Sequence, residues 1–319
     1  MPRTGWATSW RNGPVTDRVL AIVGATATGK SDLAIALAQR FDGEIVNADS
    51  MQLYVGLDVG TAKLGPGERG DIAHHLIDIW PIQKAAAVAQ YQDLARTAIG
   101  QIHARGRLPI VVGGSGLYVS GALDRLEFPP EDTAVRLRLY AELEEHGPYA
   151  LHQRLASLDP DAAKAILPSN GRRIARALEV IEVTGRPFTA SMPRPDSIYD
   201  TTLIALDRAD LDERVERRVQ HMMDRGWLDE IRALLPAGLR ASPTAGKALG
   251  YQQLMSVLDD QGNVVGDVAA QVDETIMRTK RFVRRQRRWF RRDARITWLD
   301  AADPGLLERA IAVANLRTL

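Results

Sequence analysis

Gly24 to Ser31 reads GATATGKS, the spacing G-x-x-x-x-G-K-S. Glycines at those positions let backbone N–H groups converge on phosphate oxygens. The lysine adds a point charge, and the serine hydroxyl can ligate Mg2+. The apolar run Val19 to Val23 precedes the motif, and Leu33, Ile35, Ala36 and Leu37 follow it at helical spacing. Strand, Gly-rich turn and helix is the context such a loop requires, and the helix N-terminus contributes a favourable dipole. The loop predicts a diphosphate holder built from Gly24, Ala25, Thr26, Ala27, Thr28, Gly29, Lys30 and Ser31. It does not identify the reaction, since ATP, GTP and other diphosphates all fit. A hydrolytic enzyme of this type also presents an apolar strand ending in an acid. The strand in RLPIVVGGSG ends in glycine instead.

A second polar cluster lies in NADSMQLYVGLDVGTAK. Asp49, Ser50 and Gln52 follow a short strand near Glu44 to Asn47, and Thr61 and Lys63 come shortly after. A carboxylate there can act as a proton acceptor beside the phosphate site. Asp and Ser are also ordinary turn residues, and the pattern alone leaves both readings standing. In DERVERRVQ, Arg214 and Arg218 fall at i and i+4 on one helix face. They can meet a diphosphate, or they can be solvated and paired with Glu213 or Glu216. Nine Lys/Arg and no acid occupy Arg278 to Arg292. A charge run of one sign predicts a polyanion contact that weakens with salt. Its Phe282, Val283, Trp289 and Phe290 read as core anchors at helical spacing. His74 and His75 have no accompanying ligand cluster, so they read as hydrogen-bonded structural residues.

The elements that must position these groups alternate strand and helix. Leu108 to Val112 is another apolar strand, followed by Gly113, Gly114 and Gly116 in a tight turn into a helix. The predicted fold class is α/β: a phosphate-loop core with a parallel sheet, its loaded loops converging outside the carboxyl ends of the strands. From Thr133 to about Thr184 the pattern is helical, and Thr201 to Asp207 reads as a return strand. The expected organisation is a flexible tail over 1–18, a core over 19–125 and 200–319 with a helical C-terminal region, and a helical insertion over 126–199. No run approaches the roughly 18 apolar residues of a membrane span. The first 17 residues lack a signal-like apolar segment. There is no cysteine, which removes disulfides, thiolate catalysis and Cys-based zinc sites. A cytoplasmic monomer is expected, since no exposed apolar helix face stands out.

GATATGKS, NADSMQLYVGLDVGTAK, HHLIDI, VGGSGLYV, NGRRIARALEVIEVTG, RGWLDEIRALL, KALGYQQL and RFVRRQRRWFRR occur in order from Val19 to Leu299. Together they resemble the successive motifs of the tRNA dimethylallyltransferases. Ala25 stands where that family usually has proline, Ser115 where threonine is common, and Tyr91 where phenylalanine is usual. The resemblance implies transfer of a dimethylallyl group from dimethylallyl diphosphate to N6 of the adenine beside a tRNA anticodon. It implies Mg2+ at Ser31, a leaving diphosphate on the loop and on Arg214 and Arg218, and Thr26 as a hydrogen-bonding contributor. Asp49 becomes the general base. Asp49, Ser50, Met51, Gln52 and Ser115 become base-contacting residues. Arg136, Arg172, Arg173, Arg176, Lys247, Gly250, Tyr251 and Gln252 become tRNA contacts in the anticodon loop region.

Two other classes fit parts of the chain. A phosphate-loop kinase of a small metabolite explains the ATP-type loop but not the basic helix or GYQQ. A nucleotide-binding RNA-binding protein without covalent chemistry leaves the Asp49 cluster unexplained. Prenylation of a free adenine nucleotide is a close variant, against which the insertion and basic run argue.

Overall fold

The computed structural model describes residues 17–188 and 194–315. Contacts divide the chain into two compact units, one reaching Asp124 and resuming at Ser197, the other spanning Arg125–Asp196.

The first unit is built on a six-stranded parallel sheet. Its strands are β1 (Arg18–Gly24), β2 (Gly43–Asn47), β3 (His74–His75), β4 (Leu108–Gly113), β5 (Asp200–Asp207) and β6 (Ile296–Asp300), in the order β3-β2-β4-β1-β5-β6. Both faces are covered, so β1 is apolar from Val19 to Val23. Val19, Ala21 and Val23 face one core and Leu20 and Ile22 the other. The helices of this unit are α1 (Lys30–Phe41), α2 (Val88–Ala104), α3 (Gly116–Leu123), α7 (Leu211–Asp224), α8 (Trp227–Leu234), α9 (Tyr251–Met255), α10 (Val268–Phe290) and α11 (Leu306–Asn315).

The insertion unit holds α4 (Thr133–Leu158), α5 (Pro160–Ala165) and α6 (Gly171–Thr184) around its own core of Leu139, Leu151, Leu155, Ile174 and Leu178. Asp132, Asp159 and Asn170 cap these helices through their side chains. α4 breaks at Gly147, where φ is 76°, immediately before Pro148. Buried Glu179 on α6 accepts from both Arg136, on α4, and Arg176. That triad ties α4 to α6.

Two expectations need correction. Arg18 is the first residue of β1, so the expected tail over 1–18 is too long by at least that residue; residues 1–16 lie outside those described. The C-terminal region is not wholly helical, because Ile296–Asp300 pairs with β5 as an edge strand. It is short and half-exposed, and its pattern was too brief to separate from helix. His74 and His75 form a two-residue strand on β2, a pairing no periodicity can reveal.

At the start of β2, Glu44 is buried and receives Arg105, Arg107 and His75. Burial pushes this carboxyl up, but the hydrogen bonds from Arg105 and His75 outweigh it and hold the group down to about 2. A depressed carboxyl contributes stability above its unfolded pKa and loses it as pH falls toward the folded value. Glu44→Gln is therefore expected to destabilise the fold by about 1–3 kcal/mol at neutral pH. The penalty should shrink as pH falls from the ordinary carboxylate range toward about 2. Thermal melts of both proteins across that range check this.

Candidate functional site

The strand ends do bring the loaded loops together. One cavity of about 730 Å3 is lined by Thr26, Lys30, Ser31, Asp49, Ser115 and Arg218, among others. Gly24 ends β1 at φ 131°, and a Cβ there would lie 2.6 Å from the Leu206 carbonyl oxygen. Only glycine makes that turn. No side chain caps α1, whose N-cap is Gly29. Its first amides are therefore available to an anion.

The loop's carbonyls hold the cations. Lys30 Nζ donates to the Ala25 carbonyl at 2.5 Å, and Arg214 Nε to the Ala27 carbonyl at 2.8 Å. Thr28 spends its hydroxyl on the Ala25 carbonyl at 2.9 Å, closing the loop internally. Arg218, one turn beyond Arg214 on α7, donates to the Thr61 carbonyl at 3.3 Å. Neither arginine is paired with Glu213 or Glu216; Glu216 instead receives Lys280. Burial and the Arg218 charge lower the Lys30 ammonium to about 7, against a smaller upward pull from Asp49. Arg218 is lowered too, by burial first, with Asp49 again pulling it up.

Asp49 follows β2 and is oriented by local bonds. Its N–H donates to Asn47 Oδ1 at 3.0 Å, and its Oδ1 accepts the Met51 N–H at 2.9 Å. Its Oδ2 has no hydrogen-bond partner among the described residues. Ser50 donates its N–H to Ser115 Oγ at 3.2 Å, and the two hydroxyls lie 3.3 Å apart. Gln52 Nε2 donates to the Thr61 carbonyl at 3.2 Å. Met51 and Lys247 line the same cavity.

Other expected residues sit differently. Tyr251 is fully buried, its hydroxyl donates to Glu230 Oε1 at 2.5 Å, and its ring packs edge-on against Trp227 at 5.5 Å. It lines the cavity, but with its hydroxyl engaged inside the protein. Gly250 serves the same packing, since a Cβ there would lie 2.0 Å from Trp227. Gln252 is exposed. In the insertion unit, Arg136 and Arg176 are engaged by Glu179, while Arg172 and Arg173 are exposed. The basic run is not uncompensated: Arg278, Lys280, Arg284, Arg287 and Arg291 pair with Glu274, Glu216, Asp212 and Asp207. Val283 and Phe290 are core, as expected, but Phe282 lines the cavity with Arg285 5.2 Å above its ring. His74 Nδ1 donates to the Ile72 carbonyl, and His75 contacts Glu44.

Two site residues escaped the sequence reading. Glu230, on α8, accepts the N–H groups of Asp58, Val59 and Gly60 as well as the Tyr251 hydroxyl. It thereby holds the loop that carries the Thr61 carbonyl. Gln286, on α10, accepts the Thr26 N–H at 3.0 Å and donates to the Gly114 carbonyl at 2.9 Å. Its signal was present: Val283, Gln286 and Phe290 share one buried helix face, and only one of them is polar.

The IPP transferase family model matches residues 52–293. The chain is 59% identical over 299 residues to a protein of Streptomyces avermitilis named tRNA dimethylallyltransferase, covering 93% of this chain and 95% of that one. A protein of the same name from Acidothermus cellulolyticus is 59% identical over 293 residues, covering 91% of each. Among solved structures, a full-length tRNA isopentenylpyrophosphate transferase of Bacillus halodurans superposes with TM-score 0.68 at 37% identity, covering 94% and 96% of the two chains. A eukaryotic dimethylallyltransferase acting on tRNA gives TM-score 0.78 at 28% identity, covering 93% of this chain and 78% of that one.

The lowered Lys30 ammonium has a measurable consequence. It carries its charge below about 7 and loses it above. A bound anion favours the charged form, so pyrophosphate binding above that pH should take up as much as about one proton and weaken as pH rises. Calorimetry in buffers of different ionisation heat reads the uptake. Lys30→Met, which retains only the ligand's own titration, should lose the excess.

Proposed function

The chain belongs to the IPP transferase family and is a tRNA dimethylallyltransferase; from that premise we propose that its donor is dimethylallyl diphosphate and its acceptor the N6 amine of the adenine beside the anticodon. The observation that carries this reading is one cavity holding both a phosphate loop with its cations and a carboxylate with a free oxygen. A phosphate loop alone serves many reactions. A loop whose lysine faces Asp49 suits departure of a diphosphate from carbon with removal of a proton.

Allylic C1 tolerates positive charge by delocalisation, so stabilising the departing diphosphate lowers the barrier most. The C1–O bond breaks and the diphosphate keeps the electron pair. Lys30, Arg214, Arg218 and the α1 amides receive that charge, with Thr26 Oγ1 as a further donor. The adenine amine is a weak nucleophile because its lone pair is conjugated into the ring. Its N–H becomes acidic only as the N6–C1 bond forms, so a carboxylate of ordinary basicity suffices. Asp49 Oδ2 takes that proton. Ser50, Met51, Gln52 and Ser115 hold the base, which must leave its stack to enter the cavity.

Ser31 is exposed at the cavity edge beside Lys30. Among the described residues no group of three His, Asp or Glu side chains could hold a metal ion. One protein hydroxyl with the remaining ligands from phosphate and water is a donor set that fits Mg2+ arriving with its diphosphate. When bound, Mg2+ would supply further neutralisation of the leaving group.

No helix among the described residues is long and apolar enough to cross a membrane. We place the enzyme in the cytoplasm, with its tRNA, and take it to act as a monomer, since one chain by itself supplies the phosphate loop, its cations and Asp49. On the RNA side we assign Lys247 and Gln252 to tRNA, together with Arg172, Arg173 and the solvent-facing arginines of α10. Arg136 and Arg176 are assigned there through the surface their triad holds.

Radiolabelled dimethylallyl diphosphate incubated with Mg2+ and either unmodified tRNA or AMP tests the reading. Label should enter tRNA and not AMP; label in AMP alone would overturn the acceptor, and none in either the donor. Asp49→Asn should lower the transfer rate about 10²–10⁴-fold while tRNA affinity is kept. Wild-type turnover in that variant would remove Asp49 as the base.

A further inference from the structure

Gln286 stands between the two halves of the site. Its Oε1 accepts the Thr26 N–H at 3.0 Å, inside the phosphate loop. Its Nε2 donates to the Gly114 carbonyl at 2.9 Å. The next residue, Ser115, accepts the Ser50 N–H through its hydroxyl, and Ser50 adjoins Asp49. The side chain is 6% exposed and sits on the inward face of α10 between Val283 and Phe290.

We propose that Gln286 is a positioning residue for group transfer, tying the loop that holds the donor diphosphate to the turn that holds the acceptor base. The proposal rests on the transfer reading above. Each loop has its own ligand groups: Lys30, Arg214 and Arg218 for the diphosphate, Asp49 and the Ser50–Ser115 pair for the base. The strands that carry the phosphate loop and the Gly114 turn pair as far as Val23 and Gly113, and beyond that pair no backbone bond among the described residues joins the two loops. Among the described residues only Gln286 satisfies one amide from the first and one carbonyl from the second with a single planar group. Its two hydrogen bonds have opposite polarity, which glutamine meets and neither glutamate as a carboxylate nor methionine does. The carboxamide therefore sets the separation across which C1 must reach N6. Transfer between two bound partners is steeply sensitive to that separation, while the binding of either one alone is not.

The test uses the full chain with Gln286→Met and Gln286→Glu. Kinetics are read with dimethylallyl diphosphate and tRNA, and binding with pyrophosphate and tRNA separately. The wild-type enzyme must first transfer label; if it does not, the function reading fails and this one with it. Given transfer, Gln286→Met should lower kcat roughly a hundredfold while pyrophosphate and tRNA affinities stay near wild type. Gln286→Glu keeps the bond from Thr26 but cannot donate to Gly114 until its carboxyl is protonated. Its rate relative to wild type should therefore rise as pH falls. Wild-type kcat in both variants would overturn the proposal. So would a parallel loss of kcat and both affinities, which would mark a general packing role. Should Gln286→Met fail to fold, a pH-independent rate ratio for Gln286→Glu overturns it alone.

Discussion

Lys30 and Arg218 line one cavity with most of their water removed, and the Arg218 charge helps lower the lysine's hold on its proton. Arg214 pushes Arg218 in the same direction. In a medium of reduced dielectric such repulsion is costly, and the fold must supply the energy that keeps the three together. Asp49 pulls both half-buried cations upward and only partly offsets the strain. The phosphate loop supplies the rest by presenting amides inward and carbonyls to its own cations, at Ala25 for Lys30 and Ala27 for Arg214. The cations are thus held in place before any ligand arrives. An anion entering such a cavity would relieve a repulsion already built in, which is the preorganisation that the proposed departure of a diphosphate requires.

That arrangement depends on support one layer out. Arg218 is steered by the Thr61 carbonyl, whose loop is fixed by Glu230 through three consecutive amides. Glu230 is in turn held by Tyr251, which packs on Trp227 under a glycine that no larger residue could replace. The GYQQ stretch therefore acts on the chemistry from below, through the loop, with Lys247 and Gln252 on its exposed side.

Much of this was legible in the sequence because it depends on local pattern. The phosphate loop, the strands around it, the i,i+4 arginines and the helical insertion all follow from spacing within a dozen residues. The bond of Tyr251 and the compensation of the charge run were not legible because their partners lie far along the chain. Tyr251 finds Glu230, and Arg284 and Arg287 find Asp212 and Asp207. Charge counted along the sequence cannot register acids contributed by another helix. β3 and β6 are set by their neighbours in the sheet, so two or five residues of their own carried little signal.

α10 shows how one basic segment can do three jobs. Val283, Gln286 and Phe290 face inward. Lys280, Arg284, Arg287 and Arg291 repeat at spacings of one helical turn, as one stripe, and meet Glu216 and Asp212 of α7 and Asp207 at the end of β5. Arg281, Arg285, Arg288 and Arg292 form the next stripe, exposed and without ion pairs among the described residues. The paired stripe clamps α7, the helix whose other residues Arg214 and Arg218 reach the cavity. Exposed ion pairs are individually weak, but two to α7 and two more to Asp207, beside buried Val283, together fix its register. The charge left uncompensated by ion pairs is then the second stripe alone, about half of what the sequence count suggests. One helix thus braces, on its flank, the helix that carries Arg214 and Arg218, and on its inner face, through Gln286, the phosphate loop and the Gly114 turn.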